Sequence, residues 1–170
     1  STAMSADGAY FIAVAEFAQI HVCNFVVSAC VLSQTSQKWR AVAVNANFTN
    51  RVAAVYGGKI YTWTYSPTTV NDWVARDSDR NWAGLASSDD GVNLVAVVYG
   101  GKIYTSINTG QNWTARDSDR NWYSVASSAD GVKLVAVVNN GQIYTSTDSG
   151  VTWVSRDSSR GWTSVTSSAD

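Results

Sequence analysis

Leu134 to Val138 is an uninterrupted apolar run, and Ile143 to Thr147 alternates apolar with polar residues. Both patterns predict β-strands, the first covered on two faces and the second on one. Trp122 to Ser127 and Thr152 to Arg156 flank them as two further short strands. Between the four lie Ala129-Asp130-Gly131, Asn139-Asn140-Gly141 and Asp148-Ser149-Gly150. Glycine after Asp, Asn or Ser accepts the positive φ of a tight reversal, so the segment reads as a four-stranded antiparallel meander.

The pattern recurs. DSDRNW stands at Asp77 to Trp82 and again at Asp117 to Trp122, with DSSRGW at Asp157 to Trp162, a period of 40. YGGKIYT occurs from Tyr56 and from Tyr99, and NNGQIYT from Asn139. Stepping back from Ile143, Ile103 and Ile60 reaches Ile20, the anchor of a diverged first unit. The one longer spacing, 43 residues, is explained by an insertion in TWTYSPTTVNDW that carries the only proline, Pro67. A lone meander cannot cover both faces of LVAVV, so neighbouring units must stack. Four-stranded repeats of about 40 residues are the signature of a β-propeller, with a β-solenoid as the alternative architecture. The expected fold is therefore all-β, with four antiparallel blades at about 1–38, 39–81, 82–121 and 122–161. Residues 162–170 repeat the first strand of a unit, which unit one holds only in part beside its Ser5 to Gly8 turn. That overlap is expected to close a ring, within one chain or as two chains of four blades each.

Composition sharpens the reading. The 170 residues are 45% hydrophobic and 12% aromatic, with one Glu, one Met and four Lys, so straight-chain helix formers are scarce and an all-helical protein is excluded. Twelve basic residues against thirteen acidic ones give a formal charge of −1, which supplies no general field for nucleic acid or an anionic membrane. The apolar stretch Phe11 to Leu32 contains Glu16, Gln19, His21 and Asn24 and is not a membrane span. Cys23 and Cys30 stand at the two ends of one turn, either bonded or as two small buried apolar residues. No metal, cofactor or nucleotide motif is present.

STDSGVTW, from Ser146 to Trp153, resembles the Asp-box of sialidase-like BNR propellers. SINTGQNW keeps Ser106, Gly110 and Trp113 of the motif but has Asn108 for the acid. With the 40-residue blade, the chain from Asn45 onward is also similar to the photosystem II stability and assembly-factor group of Asp-box propellers. That resemblance implies a structural role for Ser146, Asp148, Gly150 and Trp153, and for Gly110 and Trp113. It also implies an extracytoplasmic location.

A sialidase would need a Tyr nucleophile paired with Glu, an Asp acid and three converging arginines. Glu16 has no identifiable tyrosine partner in the sequence, and the arginines fall at equivalent places in successive units. His21 is the only histidine and reads as a packed or half-exposed strand residue. The expectation is a non-enzymatic binding or assembly scaffold. Its candidate face gathers Arg76, Asp79, Arg80, Arg116, Asp119, Arg120, Arg156 and Arg160 with Tyr56 and Tyr99, chemistry that suits glycans or polar peptides. The competing reading is that these Asp and Arg side chains pair with one another between blades. A sialidase-like hydrolase and an engineered part-propeller of duplicated blades without a ligand remain the alternatives. The apolar outer hairpin of unit one, Val22 to Leu32, is expected to be a contact surface for a second copy, making a homodimer.

Overall fold

A computed structural model describes residues 1–67 and 72–169, without the side chains of residues 33 and 34. Ten strands follow one another in a single antiparallel order: β1 (Thr2–Met4), β2 (Tyr10–Ala13), β3 (Glu16–Asn24), β4 (Ala29–Val44) and β5 (Asn50–Thr64), then β6 (Val74–Ser87), β7 (Leu94–Ser106), β8 (Thr114–Ser127), β9 (Leu134–Ser146) and β10 (Val154–Gly161).

Two kinds of long strand build this order. The residues that flank β5, β7 and β9 meet: Tyr65 N–H donates to Thr49 O at 2.8 Å, Thr109 N–H to Val92 O at 3.1 Å and Ser149 N–H to Val132 O at 3.0 Å. Each of these strands must therefore fold back on itself near its middle. The reversal falls at Gly57, Gly100 and Asn140, all with positive φ. β4, β6 and β8 instead run from the outer strand of one unit into the inner strand of the next. In β6, Val74 to Arg76 pairs with Thr62 to Ile60 of β5, whereas Trp82 to Ser87 pairs with Val98 to Leu94 of β7. Asp77 and Asp117, at φ 52°, turn the chain between the two halves of β6 and β8. The expected meander of four short strands is thus present, with its members fused in pairs.

Stacking of the units makes the core. One cluster joins Val52, Ala54 and Ile60 of unit two to Trp82, Leu85, Leu94, Ala96 and Val98 of unit three. A second repeats this between Val95, Val97 and Ile103 and the set Trp122, Val125, Leu134, Ala136 and Val138. The third sets Ile12, Val14 and Ile20 against Trp39, Val42, Ala53 and Val55. Every cluster is an interface between neighbouring units, which is why Trp39, Trp82 and Trp122 are the largest fully buried side chains. Backbone bonds tie the turns at one end of the units together. Ala6 N–H donates to Ala46 O, Ala46 to Asp89, Asp89 to Ala129 and Ala129 to Ala169, at 2.7–2.9 Å.

The strand expected over 162–170 is not formed among the described residues 162–169, and the sheet stays open. Trp162 to Ala169 runs beside β8, held by the Ala129–Ala169 bond and by Val165 N–H donating to Ser124 Oγ at 3.3 Å. β2, the strand it would meet in a closed ring, is paired with β1, Thr2 opposite Ala13 and Met4 opposite Phe11. Of the insertion, Pro67 is exposed and residues 68–71 lie outside the described residues. No helix is long and apolar enough to cross a membrane among the described residues.

Candidate functional site

The Asp/Arg loops are occupied with themselves. Arg76, Arg116 and Arg156 each donate Nε to a threonine hydroxyl on the adjacent strand, Thr62, Thr105 and Thr145, at 3.0–3.1 Å. Arg80 pairs with Asp77 at 3.2 Å, Arg120 with Asp117 at 2.8 Å and Arg160 with Asp157 at 3.8 Å. The guanidinium of Arg80 lies 4.4 Å from the Tyr104 ring, and that of Arg120 lies 4.5 Å from Tyr144. Asp79 meets Lys59 and Asp119 meets Lys102 across their own units. Pairing is therefore within a loop or a unit, not between blades as the sequence suggested. The exposed pairs among these, Lys59–Asp79, Lys102–Asp119 and Arg160–Asp157, contribute at most about 1 kcal/mol each, so they orient the loops more than they stabilise them.

Tyr56 and Tyr99 stand elsewhere, at the mouth of a cleft of about 420 Å³ that also involves Glu16, Lys38, Arg40, Ala83, Tyr123 and Asn139. Repeat geometry explains the gathering. Glu16, Tyr56, Tyr99 and Asn139 occupy one equivalent position, four residues before the anchoring isoleucine. Arg40, Ala83 and Tyr123 occupy another, directly after the buried inner-strand tryptophan. Both positions converge where inner strands run side by side: a Cβ on Gly84 would come within 3.4 Å of Ser124 Cα. Arg40 Nη2 donates to Tyr123 Oη at 3.2 Å, and its Nη1 lies 4.0 Å from Glu16 Oε1. Lys38 Nζ sits 4.9 Å from the Tyr56 ring centroid, and Tyr99 meets Tyr123 edge-on at 6.5 Å. The mouth thus holds two cations, one carboxylate and three phenol rings. Lys38, Arg40 and Tyr123 escaped the sequence reading. Comparison of the residue after each repeated tryptophan would have found two of them.

The turn from Ser146 to Trp153 is a closed hydrogen-bond unit. Ser146 Oγ donates to Asp148 Oδ1 at 2.8 Å and accepts from Gly150 N–H at 2.9 Å. Asp148 also accepts from the Thr152 N–H at 2.9 Å and its hydroxyl at 2.6 Å. Trp153 Nε1 closes the turn on Gly150 O at 3.0 Å. Asn108 repeats the arrangement, accepting from Ser106 and from Asn112 N–H at 3.0 Å. The Thr152 hydroxyl first, then its N–H and the Ser146 hydroxyl, hold the Asp148 carboxyl down at about 2 against an ordinary 3.8. A depressed folded-state value means the stabilisation is complete above about pH 4 and is lost as pH falls toward 2. Asp148→Asn is therefore expected to flatten the acid limb between those values while leaving stability at neutral pH little changed, since Asn108 already serves in unit three. Urea denaturation at pH 6 and pH 2.5 checks this.

Cys23 and Cys30 lie directly opposite each other in β3 and β4 and are bonded. His21 is exposed on β3. The outer hairpin of unit one is exposed as expected, with Val26 at 79% and Phe25 at 58%.

No family model matches the chain, and no curated protein does. Solved structures do. The Swd1 β-propeller domain of Myceliophteria thermophila is 12% identical, with a TM-score of 0.66, over 85% of this chain and 50% of that one. Kuenenia stuttgartiensis hydrazine synthase is 16% identical, with a TM-score of 0.69, over 85% and 44%. This chain spans about half the length of either. At these identities the likeness shows the fold alone, and the fold is that of a β-propeller.

Proposed function

We propose that the chain is a non-enzymatic binding scaffold of four propeller blades, and that its ligand seat is the cleft between the inner strands. The carrying observation is that the units differ in kind where they face this cleft. One position holds Glu16, Tyr56, Tyr99 and Asn139, and the other holds Arg40, Ala83 and Tyr123. The framework behind them keeps Trp39, Trp82 and Trp122, and Ile20, Ile60, Ile103 and Ile143. Duplicated blades thereby present an asymmetric set of charges, amide and rings, which suits a polyhydroxylated or peptide ligand with unlike ends. The paired loop arginines belong to the frame.

Saturable binding on a glycan or peptide array identifies the ligand class, and calorimetry then tests the seat. Tyr99→Ala and Arg40→Ala are expected to weaken binding by about tenfold or more, roughly 1.4 kcal/mol. Arg120→Ala should leave it unchanged. No binding of any array member by a folded protein would favour the ligandless part-propeller. Glu16, Arg40 and three tyrosines around one cleft also keep the sialidase-like reading in view. Hydrolysis of a fluorogenic sialoside that disappears in Glu16→Gln would replace the scaffold reading with that one.

A further inference from the structure

One junction departs from the repeat at the end of the units where the turns Ser5 to Gly8, Asn45 to Phe48, Ser88 to Gly91 and Ser128 to Gly131 lie. Counted from the anchoring isoleucines, Phe48 takes the place of Gly8, Gly91 and Gly131, and Arg51 that of Leu94 and Leu134. Tyr10 of unit one stands where units two and three have Asn50 and Asn93, and Trp63 stands where units three and four have Ser106 and Ser146. Elsewhere the turn glycine packs closely on the asparagine of the preceding unit. A Cβ on Gly91 would stand 2.9 Å from Asn50 Cβ, and one on Gly131 2.6 Å from Asn93 Cβ. Between units one and two that small contact is replaced by rings, Phe48 stacking on Tyr10 at 5.4 Å and 19°.

The four changes meet. The Arg51 guanidinium lies 4.4 Å from the Phe48 ring centroid and 3.7 Å from that of Trp63, and Tyr65 lies 6.5 Å from Trp63. Arg51 Nε also donates to Phe48 O at 3.3 Å. Among the described residues Arg51 pairs with no carboxylate, unlike Arg80, Arg120 and Arg160. Burial lowers its pKa to about 10 from an ordinary 12.5, with Tyr10 acting the other way, so at neutral pH it is a half-buried cation without a counter-ion. Phe48 holds its place at φ 63°, a left-handed conformation that a bulky side chain adopts only under constraint. The turn itself does not require that strain, since glycine makes it in three other units.

A guanidinium presents paired N–H groups to a planar oxyanion, and exposed rings offer flat faces to the C–H side of a sugar. Tyr10 and Tyr65 are 39% and 55% exposed. The local main chain is engaged in its own bonds and is not available for strand addition by a peptide. Phe48 N–H donates to Asn45 O at 3.0 Å, Tyr65 N–H to Thr49 O at 2.8 Å and Asn50 N–H to Asn45 Oδ1 at 2.8 Å. We propose that the row of Tyr10, Phe48, Arg51, Trp63 and Tyr65 is a second binding site, for the carboxylate-bearing sugar rings of an acidic oligosaccharide. Arg51 takes the carboxylate and the exposed tyrosines take the rings. None of the five lines the cleft of Glu16 and Arg40, so the inference stands apart from that cleft's ligand.

Titration with trigalacturonate, followed by calorimetry and tryptophan fluorescence, tests this. Binding should be saturable and should weaken about tenfold or more in Arg51→Gln, with circular dichroism unchanged. Arg51→Lys should recover only part of it, because an ammonium lacks the paired N–H groups. Tyr65→Ala, a change at an exposed ring, should also weaken binding, and Arg40→Ala should not. The methyl ester of trigalacturonate keeps the rings without the charge and should bind wild-type protein no better than the acid binds Arg51→Gln. Binding lost in Arg40→Ala but kept in Arg51→Gln would assign the sugar to the cleft and overturn the second site. Equal binding of hexaglutamate would overturn the sugar assignment. No binding of trigalacturonate by the folded wild-type protein would overturn the proposal as a whole.

Discussion

Trp82→Ala is expected to lower the free energy of unfolding by about 3–5 kcal/mol, a large part of the stability of a domain this size. Trp82 is 0% exposed and lies in the cluster shared by units two and three, edge-on to Tyr104 at 5.3 Å and near Trp113 at 6.3 Å. Its position between units, not within one, sets the size of the effect. Removal of the ring leaves a void bounded by Ile60 on one side and Leu94 on the other, and neither unit can collapse into it without leaving its own hairpins. Urea denaturation followed by tryptophan fluorescence measures the loss, and Trp122→Ala should match it. A loss below about 1 kcal/mol would show that the units are held by their hydrogen bonds and not by this shared core.

Gly150→Ala is the second large effect, expected at about 2–5 kcal/mol from two separable causes. Gly150 has φ 81°, where a side chain strains the backbone. An added Cβ would also stand 2.7 Å from Thr105 Cγ2 and 3.1 Å from Leu134 Cδ1. Thr105 belongs to the preceding unit, so the clash pushes two units apart. The background Thr105→Ser removes the offending methyl and should recover the steric part while the backbone part remains. An equal loss in both backgrounds would assign the whole cost to φ. Gly110 repeats the geometry against Thr62 and Leu94, so the same pair of substitutions there is an internal replicate.

Much of the fold was legible because the chain states it several times. Three copies of the tryptophan and isoleucine anchors set the period, and Gly-bearing turns set the reversals. Unit one was hard to read because Ile20 is the anchor it keeps: Phe25, Val27 and Cys30 stand where unit four has Asp148, Gly150 and Trp153, and Phe17 takes the positive φ that glycine holds in units two and three. The candidate site was legible only in part. Charge clusters in the sequence drew attention to Arg80 and Arg120, yet each is paired with a local Asp three residues earlier. Arg40 and Tyr123 are single residues in dissimilar surroundings, and only the inner strands bring them within 3.2 Å of each other. Proximity of that kind arises from stacking across units, which no local pattern records.

The backbone bonds from Ala6 to Ala46, Asp89, Ala129 and Ala169 run in one sense, each amide giving its proton to the equivalent carbonyl one unit onward. Every one of these junctions therefore carries one backbone amide hydrogen bond of its own, beside side-chain bonds such as Asn93 Nδ2 to Asp130 O. Isotope exchange at Ala6, Ala46, Asp89 and Ala129 reads the four junctions separately, so the order in which the stack unzips is written in four signals.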